Sequence, residues 1–446
     1  MDVAYPPGMH YRVCTVKNDT APGDTEILVY LTNVTSRHWN SNSNTMTIAI
    51  AQAIPIAISP ILTRIYTPED FGLFALFLAI TNIIGSVANG RYELAIMLPE
   101  KDEDAINTAA LGFIISSILS ILILISVIFF NEFFVNLIGN EEIGFWLYFV
   151  PITVFLLGLW NVLNYYNNRK KNYKDLRNAH IIRSIVLAST HLIIGFMKSG
   201  VTGLISGEIF SKLSANSRLL KNILTDKLLI SKITKRKMIN MAKRYKNFPM
   251  ISLPSSFTTE LYSNLFSVLL SSLYNVALLG HYYMAQRVLG LPSALLGVSI
   301  GQVFFQSAVK EKEKTGQARI IFKSTVKKLF LIALPFFVAL FFIVEDLFAF
   351  VFGENWRVAG TYSQILIPIF FVRLLATPVS MINTVFERQI YGLYISIILL
   401  VSNTGIILGS YYFGLGPDSL VEEDTERYYV QWGDPVEYGV TIQFKF

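Results

Sequence analysis

The stretch Phe74–Pro99, FALFLAITNIIGSVANGRYELAIMLP, decides what kind of protein this is. It is apolar for long enough to cross a bilayer, whose hydrocarbon core of about 30 Å takes about 20 helical residues. Yet it carries Arg91 and Glu93. A charge at that depth is costly and usually faces a protein interior or a water-filled path. Two residues of helix turn through about 200°, so the pair is expected on opposite faces, outside the i,i+4 geometry of a helical ion pair. At least one of the two then needs a partner on another helix, on a ligand or at the interface. An anion site inside a helical bundle is one reading. Snorkelling is the other, since Arg91 lies about 8 residues, or about 12 Å, from the expected helix end.

The rest of the chain extends the membrane reading. Of its 446 residues 53% are hydrophobic and only 15% charged, with a mean hydropathy of +0.48. Ordinary globular domains carry about 25% charged residues. The net charge of +6 does not point to nucleic acid, because the cations cluster in loops between apolar runs. One cysteine, Cys14, excludes an internal disulfide and any cysteine-based metal site. No cofactor is indicated. The N-terminus, MDVAYPPGMHYRV, lacks a charged segment followed by an apolar one, so no cleaved signal peptide is expected.

Eleven apolar spans are read, at about 44–64, 72–98, 107–130, 145–166, 181–197, 201–217, 249–272, 276–304, 328–352, 363–386 and 391–414. The second opens on Thr67-Pro68-Glu69-Asp70: a cap residue, proline at the first helical position, then two acids over the helix N-terminus. Residues 1–43 are polar, and a small β-hairpin is expected there around the turn cluster NDTAPGD. The expected organisation is an N-lobe over 44–217, a basic linker over 218–248 and a C-lobe over 249–414. Lys and Arg concentrate in the loops after even-numbered spans; Lys198 and Arg357 are exceptions. The positive-inside rule then puts those loops in the cytoplasm. The basic linker reads as an amphipathic segment touching anionic lipid.

Ala51–Met97, AQAIPIAISPILTRIYTPEDFGLFALFLAITNIIGSVANGRYELAIM, resembles the first two helices of bacterial polysaccharide flippases. These are Wzx-type O-antigen and capsule-unit transporters, the polysaccharide-transport branch of the MOP superfamily. The resemblance continues through LPEKDEDAIN (98–107), NRKKNYKD (168–175), AKRYKNFP (242–249), QRVLGLPSALLGVSIGQVFFQ (286–306) and FIVEDLFAFVFGENWRVAG (342–360). It implies an all-α integral membrane protein, a MATE-like two-lobe bundle of twelve helices around a central cavity. It implies a multi-pass protein of the bacterial inner membrane that moves an oligosaccharide on undecaprenyl pyrophosphate to the periplasmic leaflet. Membrane lipids, a polysaccharide polymerase and chain-length machinery are the implied partners. A twelfth helix is expected after Gly414, where the chain instead has the tail 415–446, ending in TIQFKF. That tail resembles the last strand of an outer-membrane β-barrel and reads as a chimeric end.

A pyrophosphate crossing hydrocarbon needs cations in a polar cavity, and the arginine fork matches phosphate oxygens. The candidates are Arg64, Arg91 and Arg287, in spans one, two and eight, where related flippases of lipid-linked precursors place arginines; Arg373 in FFVRLLATPVS is a fourth. Glu93, Glu208 and Glu260 are candidates for pairing with these cations or for carrying a coupling proton. Tyr165, Tyr166, Tyr282 and Tyr283 suit sugar stacking or an interfacial belt. Gly297 and Gly301 form a close-packing pattern.

Three rival functions remain open on sequence. Asp102-Glu103-Asp104 formally matches the DxD of glycosyltransferases, but the longest loop on that side holds about 30 residues, too few for a nucleotide-sugar domain. An enzyme is therefore not expected. A multidrug or cation antiporter of the same superfamily would favour acids over arginines in its cavity. A non-transporting membrane protein is the third, because of the two unusual termini.

Overall fold

The computed structural model describes residues 54–197, 200–386 and 390–413. The hairpin expected in 1–43 and the tail 415–446 lie outside them. The chain divides into two units, 1–46 and 47–446, and everything described belongs to the second. It is built from α1 (Pro68–Gly85), α2 (Asp102–Ile138), α3 (Val150–Arg169), α4 (Tyr173–Phe196) and α5 (Thr202–Thr225). A short amphipathic α6 (Lys235–Arg244) follows, then α7 (Leu253–Leu273), α8 (Val276–Thr315), α9 (Arg319–Phe352), α10 (Arg357–Val379) and α11 (Ile390–Tyr412). Apart from α6, these correspond to spans two to eleven. Of span one only residues 54–64 are described, helical over 54–57 and over Ser59–Leu62.

Seven of the described helices are long and apolar enough to cross a membrane by length and composition. The chain is an all-α, multi-pass membrane protein. Helices α5 and α7 fall short of that apolarity because they carry Glu208 and Lys212, and Glu260 and Asn264; α8 carries Gln286 and Arg287. They pack on other helices: α5 on α3 and α4, α7 on α1 and α11, α8 on α1 and α10. A face buried against protein can carry polar groups that a lipid-facing one cannot. Helix α2 is the opposite case. Its 37 residues run about 55 Å, and the uninterrupted apolar part, 111–130, matches a core of about 30 Å. Phe129, at 75% exposed, is typical of a face solvated by lipid.

Local signals explain the element ends. The Thr67 hydroxyl accepts from the Asp70 amide and the Asp70 carboxylate accepts from the Thr67 amide, a full capping box with Pro68 behind it. Gly139, at φ 70°, caps α2 in the left-handed region. Helix α1, however, stops at Gly85, and the apolar run does not continue as one helix. The chain turns over residues 86–91, and the short helix Tyr92–Ala95 follows. Gly90 and Arg91 both take positive φ, 59° and 61°. Asn89 fixes this turn: it is buried, and its Nδ2 donates to the carbonyls of Gly112 on α2 and Gly158 on α3, at 3.2 and 3.1 Å.

Helices α1 and α8 run parallel from the same end of the bundle, the end away from the basic loops. They meet without side chains between them. A Cβ on Gly72 would sit 1.8 Å from the Val276 carbonyl oxygen, and one on Gly280 1.8 Å from that of Pro68. Trp356, 1% exposed, donates from Nε1 to the Thr63 carbonyl at 3.0 Å and packs edge-on against Phe71. Phe71 and Phe74 in turn contact the Tyr283 ring. The N-terminal and C-terminal helices are thus sealed together at this far end. Gly297 and Gly301 join α8 to α10, against Thr377 and Pro378.

Candidate functional site

The broken helix changes the geometry of Arg91 and Glu93. The left-handed backbone at Arg91 folds its side chain back, and Nη1 reaches Glu93 Oε1 at 3.3 Å. The expectation that the two could not pair is corrected: it assumed a continuous helix, whereas α1 ends at Gly85 and a turn over 86–91 carries Arg91 at positive φ. Glu93 is 3% exposed. The pairing is incomplete, since Arg91 Nε and Glu93 Oε2 are both buried without a partner. Tyr165 and, from the other lobe, Glu260 lie within electrostatic range of Arg91. A non-glycine residue held at positive φ costs about 1–3 kcal/mol and tends to mark functional turns.

Arg287 projects from α8 across to the other lobe. Its Nη2 donates to the Pro55 carbonyl at 2.6 Å, and Tyr283 stands one helical turn before it on α8. From the Gly72–Val276 crossing, Arg287 lies about 15 Å along α8, and Arg91 lies beyond the end of α1 at about 20 Å. The two arginines therefore stand at successive depths. Arg64 is not brought to either: it is exposed in the turn before α1, at the far end, and α1's 18 residues, about 27 Å, separate it from Arg91. Arg373 is exposed on α10 and sits over the ring of Phe370, 5.6 Å from its centroid.

The acids are placed differently from one another. Glu208 is held by Lys212 Nζ at 2.7 Å and Arg183 Nη2 at 3.3 Å, and Lys212 is itself 3% exposed. His191 lies beside them, its Nε2 3.1 Å from the Leu204 carbonyl and its Nδ1 buried without a partner. This cluster was not anticipated, although Glu208 and Lys212 have i,i+4 spacing in the sequence. Glu260 accepts from Asn264 Nδ2 at 3.0 Å, and Asn264 accepts from Asn82 of α1 at 3.4 Å, a polar link between the lobes. Of the tyrosines, Tyr165 neighbours Arg91, Tyr283 packs on Phe71 and Phe74, Tyr282 bonds Gln286, and Tyr166 donates to Asp226 at 3.0 Å at the basic end.

The linker is docked at that basic end. Glu103, in the first turn of α2 and clear of its apolar part, is clamped by Lys232 and by Lys237, the latter at 2.8 Å. Hydrogen bonds from these two lysines pull the Glu103 carboxyl down to about 2. Asp102 is held by Arg169 and Lys170, at 3.0 and 2.8 Å. Two acids of the DxD-like triplet are thus structural clamps. Asn107 bonds the backbone on both sides of Ile233, and the Tyr92 hydroxyl donates to the Ala242 carbonyl at 3.2 Å. The linker helix α6 therefore rests on the same short helix that Arg91 introduces.

A family model described as "Polysaccharide biosynthesis protein" matches residues 61–360. The teichuronic acid biosynthesis protein TuaB of Bacillus subtilis (strain 168) is 24% identical over 136 residues, 30% of this chain but only 28% of that protein's length. Among solved structures, the lipid II flippase MurJ in an inward closed conformation superposes with a TM-score of 0.61 at 13% identity, over 84% of this chain and 80% of that one. An outward-facing multidrug resistance MATE family transporter of the MOP superfamily gives 0.55 at 15% identity, over 83% and 87%. The chain shares the all-α, two-lobe fold of these membrane transporters.

Proposed function

We propose, for a chain that belongs to the polysaccharide biosynthesis protein family, that it flips an oligosaccharide linked to undecaprenyl pyrophosphate from the cytoplasmic to the periplasmic leaflet of a bacterial inner membrane. The observation that carries this reading is the pair of arginines at successive depths, Arg91 on a strained turn of the N-lobe and Arg287 on the facing helix of the C-lobe. A pyrophosphate entering from the basic end meets Arg91 first, where Nε has no partner, and Arg287 deeper. The polyprenyl tail stays in lipid, so the protein need carry only the polar part. No bond is made or broken, and the protein acts as a transporter and not as an enzyme.

Alternating access follows from the lobe arrangement. Helices α1 and α8, one from each proposed lobe, are joined at the far end through Gly72 and Gly280, with Trp356 sealing onto Thr63, which leaves the basic end as the entry side. A dianion bound by arginines from both lobes draws them together and supplies the affinity difference between states that transport requires. The basic loops and the linker 218–248 face the cytoplasm in this reading. Arg357, an exception to the charge pattern, is tied to Asp346 and Glu354; Lys198 lies outside the described residues. Arg64 would meet the headgroup only on release, and Arg373 flanks the path. A polymerase and chain-length machinery would receive the product at the far side.

The test is complementation of a strain lacking its own flippase. Arg91→Ala and Arg287→Ala, expressed and inserted at wild-type level, should give little surface polysaccharide, whereas the lysine variants keep the charge and should give partial function. Wild-type polysaccharide from both alanine variants would make the arginines structural anchors.

A further inference from the structure

A groove of about 810 Å³ lies outside the bundle, between α6 and the lipid-facing side of α2. Its floor is apolar, from Leu111 and Ile114 of α2 and Met238 of α6; its rim is Lys235, Lys243 and Lys246. That volume is within the about 300–1,000 Å³ of ordinary ligand pockets. Three observations bear on its occupant.

The first is charge. Helix α6 and its flanks carry two sets of lysines. Lys232 and Lys237, on the side facing the protein, share the Glu103 carboxylate. Lys235, Lys243 and Lys246 are exposed, and among the described residues none has an acid within ion-pair distance. Positions 235, 239, 243 and 246 recur at helical spacing, so Lys235, Lys243 and Lys246 share one stripe with Ile239, beside the exposed Arg236 and Arg244. The second is depth. Leu111 opens the apolar part of α2, so α6 lies at the boundary between headgroups and hydrocarbon. The third is continuity. From Ile114 an exposed apolar stripe runs along α2 through Ile118, Ile121 and Ile125, away from the lysines and into the membrane. A ligand that fits has a phosphate at one end and an alkyl chain at the other, and it reaches the groove from within the leaflet.

We propose that this groove binds an anionic glycerophospholipid of the leaflet at the basic end. Its phosphate sits among Lys235, Lys243 and Lys246, and one acyl chain lies along Ile114, Ile118 and Ile121. The same helix α6 holds Tyr92 through the Ala242 carbonyl, one residue from Arg91, so an occupied groove braces the turn that carries Arg91.

The experiment uses the full chain in nanodiscs of zwitterionic phosphatidylcholine doped with phosphatidylglycerol bearing a photoreactive acyl chain. Labelled peptides are mapped by mass spectrometry. Labelling should concentrate in 111–125 and 235–246 and fall with added salt. Surface cations contribute about five-fold each to anionic-lipid affinity, so K235Q/K243Q/K246Q should lower it on the order of 100-fold. The matched variant K310Q/K314Q/K323Q, with the same net charge, should label like wild type. Three results would overturn the proposal. One is equal labelling by photoreactive phosphatidylcholine. Another is wild-type labelling in the groove variant. The third is displacement of the phospholipid by stoichiometric polyprenyl pyrophosphate, which would make the groove a substrate site. Oligomeric state is measured in parallel: labelling lost because a second copy covers the groove would also contradict it.

Discussion

Gly72→Ala tests whether the far-end contact between lobes holds the described state. The new methyl would lie 1.8 Å from the Val276 carbonyl oxygen and 2.7 Å from its carbon. Ordinary contact of a Cβ begins near 3.4 Å, so α1 and α8 must part by about 1.5 Å locally. Both atoms met are backbone, so no rotamer change relieves them. Overpacking of this kind costs about 1–3 kcal/mol, and the cost falls only on the state in which the helices touch. The balance should therefore move about 5- to 150-fold toward the state with the far end open. Gly280→Ala strikes the same crossing from the other side, at the Pro68 carbonyl. Once either substitution has separated the helices the second costs little, so the double variant should be clearly less than additive. The assay is labelling of a cysteine at Thr63, which the closed state buries beneath Trp356, by an impermeant reagent. Faster labelling in G72A, with the protein inserted normally, is expected. Unchanged labelling in both single variants would refute the idea that this crossing is the far gate.

The other predictions follow from single contacts. The Glu103 carboxyl is depressed in the folded state, to about 2 from an ordinary 4.5. Its contribution is complete above the unfolded value and is lost as pH falls from about 4.5 toward 2. Protease cleavage in the linker should therefore rise on acidification through that window, and Glu103→Gln should already show it at neutral pH; equal linker cleavage across the window would contradict the clamp. Lys212→Met leaves Glu208 buried with Arg183 alone and should cost about 3–5 kcal/mol, read as a lowered Tm, with E208Q/K212M recovering much of it. If K212M melts like wild type, Glu208 is not buried as a charge. A cysteine at Lys237 should react only after the inner membrane is breached, and one at Asn140 in intact spheroplasts; the reverse would invert the orientation.

The large features were legible because they follow from length and composition. A bilayer demands apolar runs, and the runs mark the helices; the Thr67 capping box needs only four adjacent residues. The turn over 86–91 contains Asn89-Gly90, written in the sequence as a turn dipeptide, but the apolar run on either side masked it, and with it the Arg91–Glu93 pairing. The Glu208–Lys212 spacing was equally visible, while its third member, Arg183, comes from another helix. The Gly72–Gly280 crossing could not be read at all, because two glycines 208 positions apart acquire meaning only when folding places them together. The exposure of Arg64 is likewise a tertiary fact. Its position at the end of span one suited a site and an anchor equally.

The central claim is that Arg91 and Arg287 hold the headgroup. Its most direct test is binding of a polyprenyl-pyrophosphate-linked oligosaccharide to the purified protein, with wild type compared to Arg91→Ala, Arg287→Ala and Arg64→Ala. A charge-assisted hydrogen bond is worth about 1.5–3 kcal/mol, so each of the first two should weaken binding about 10- to 150-fold. Arg64→Ala, exposed at the far end, should leave it near wild type. Undiminished affinity in Arg91→Ala and Arg287→Ala, or a loss confined to Arg64→Ala, would contradict the account.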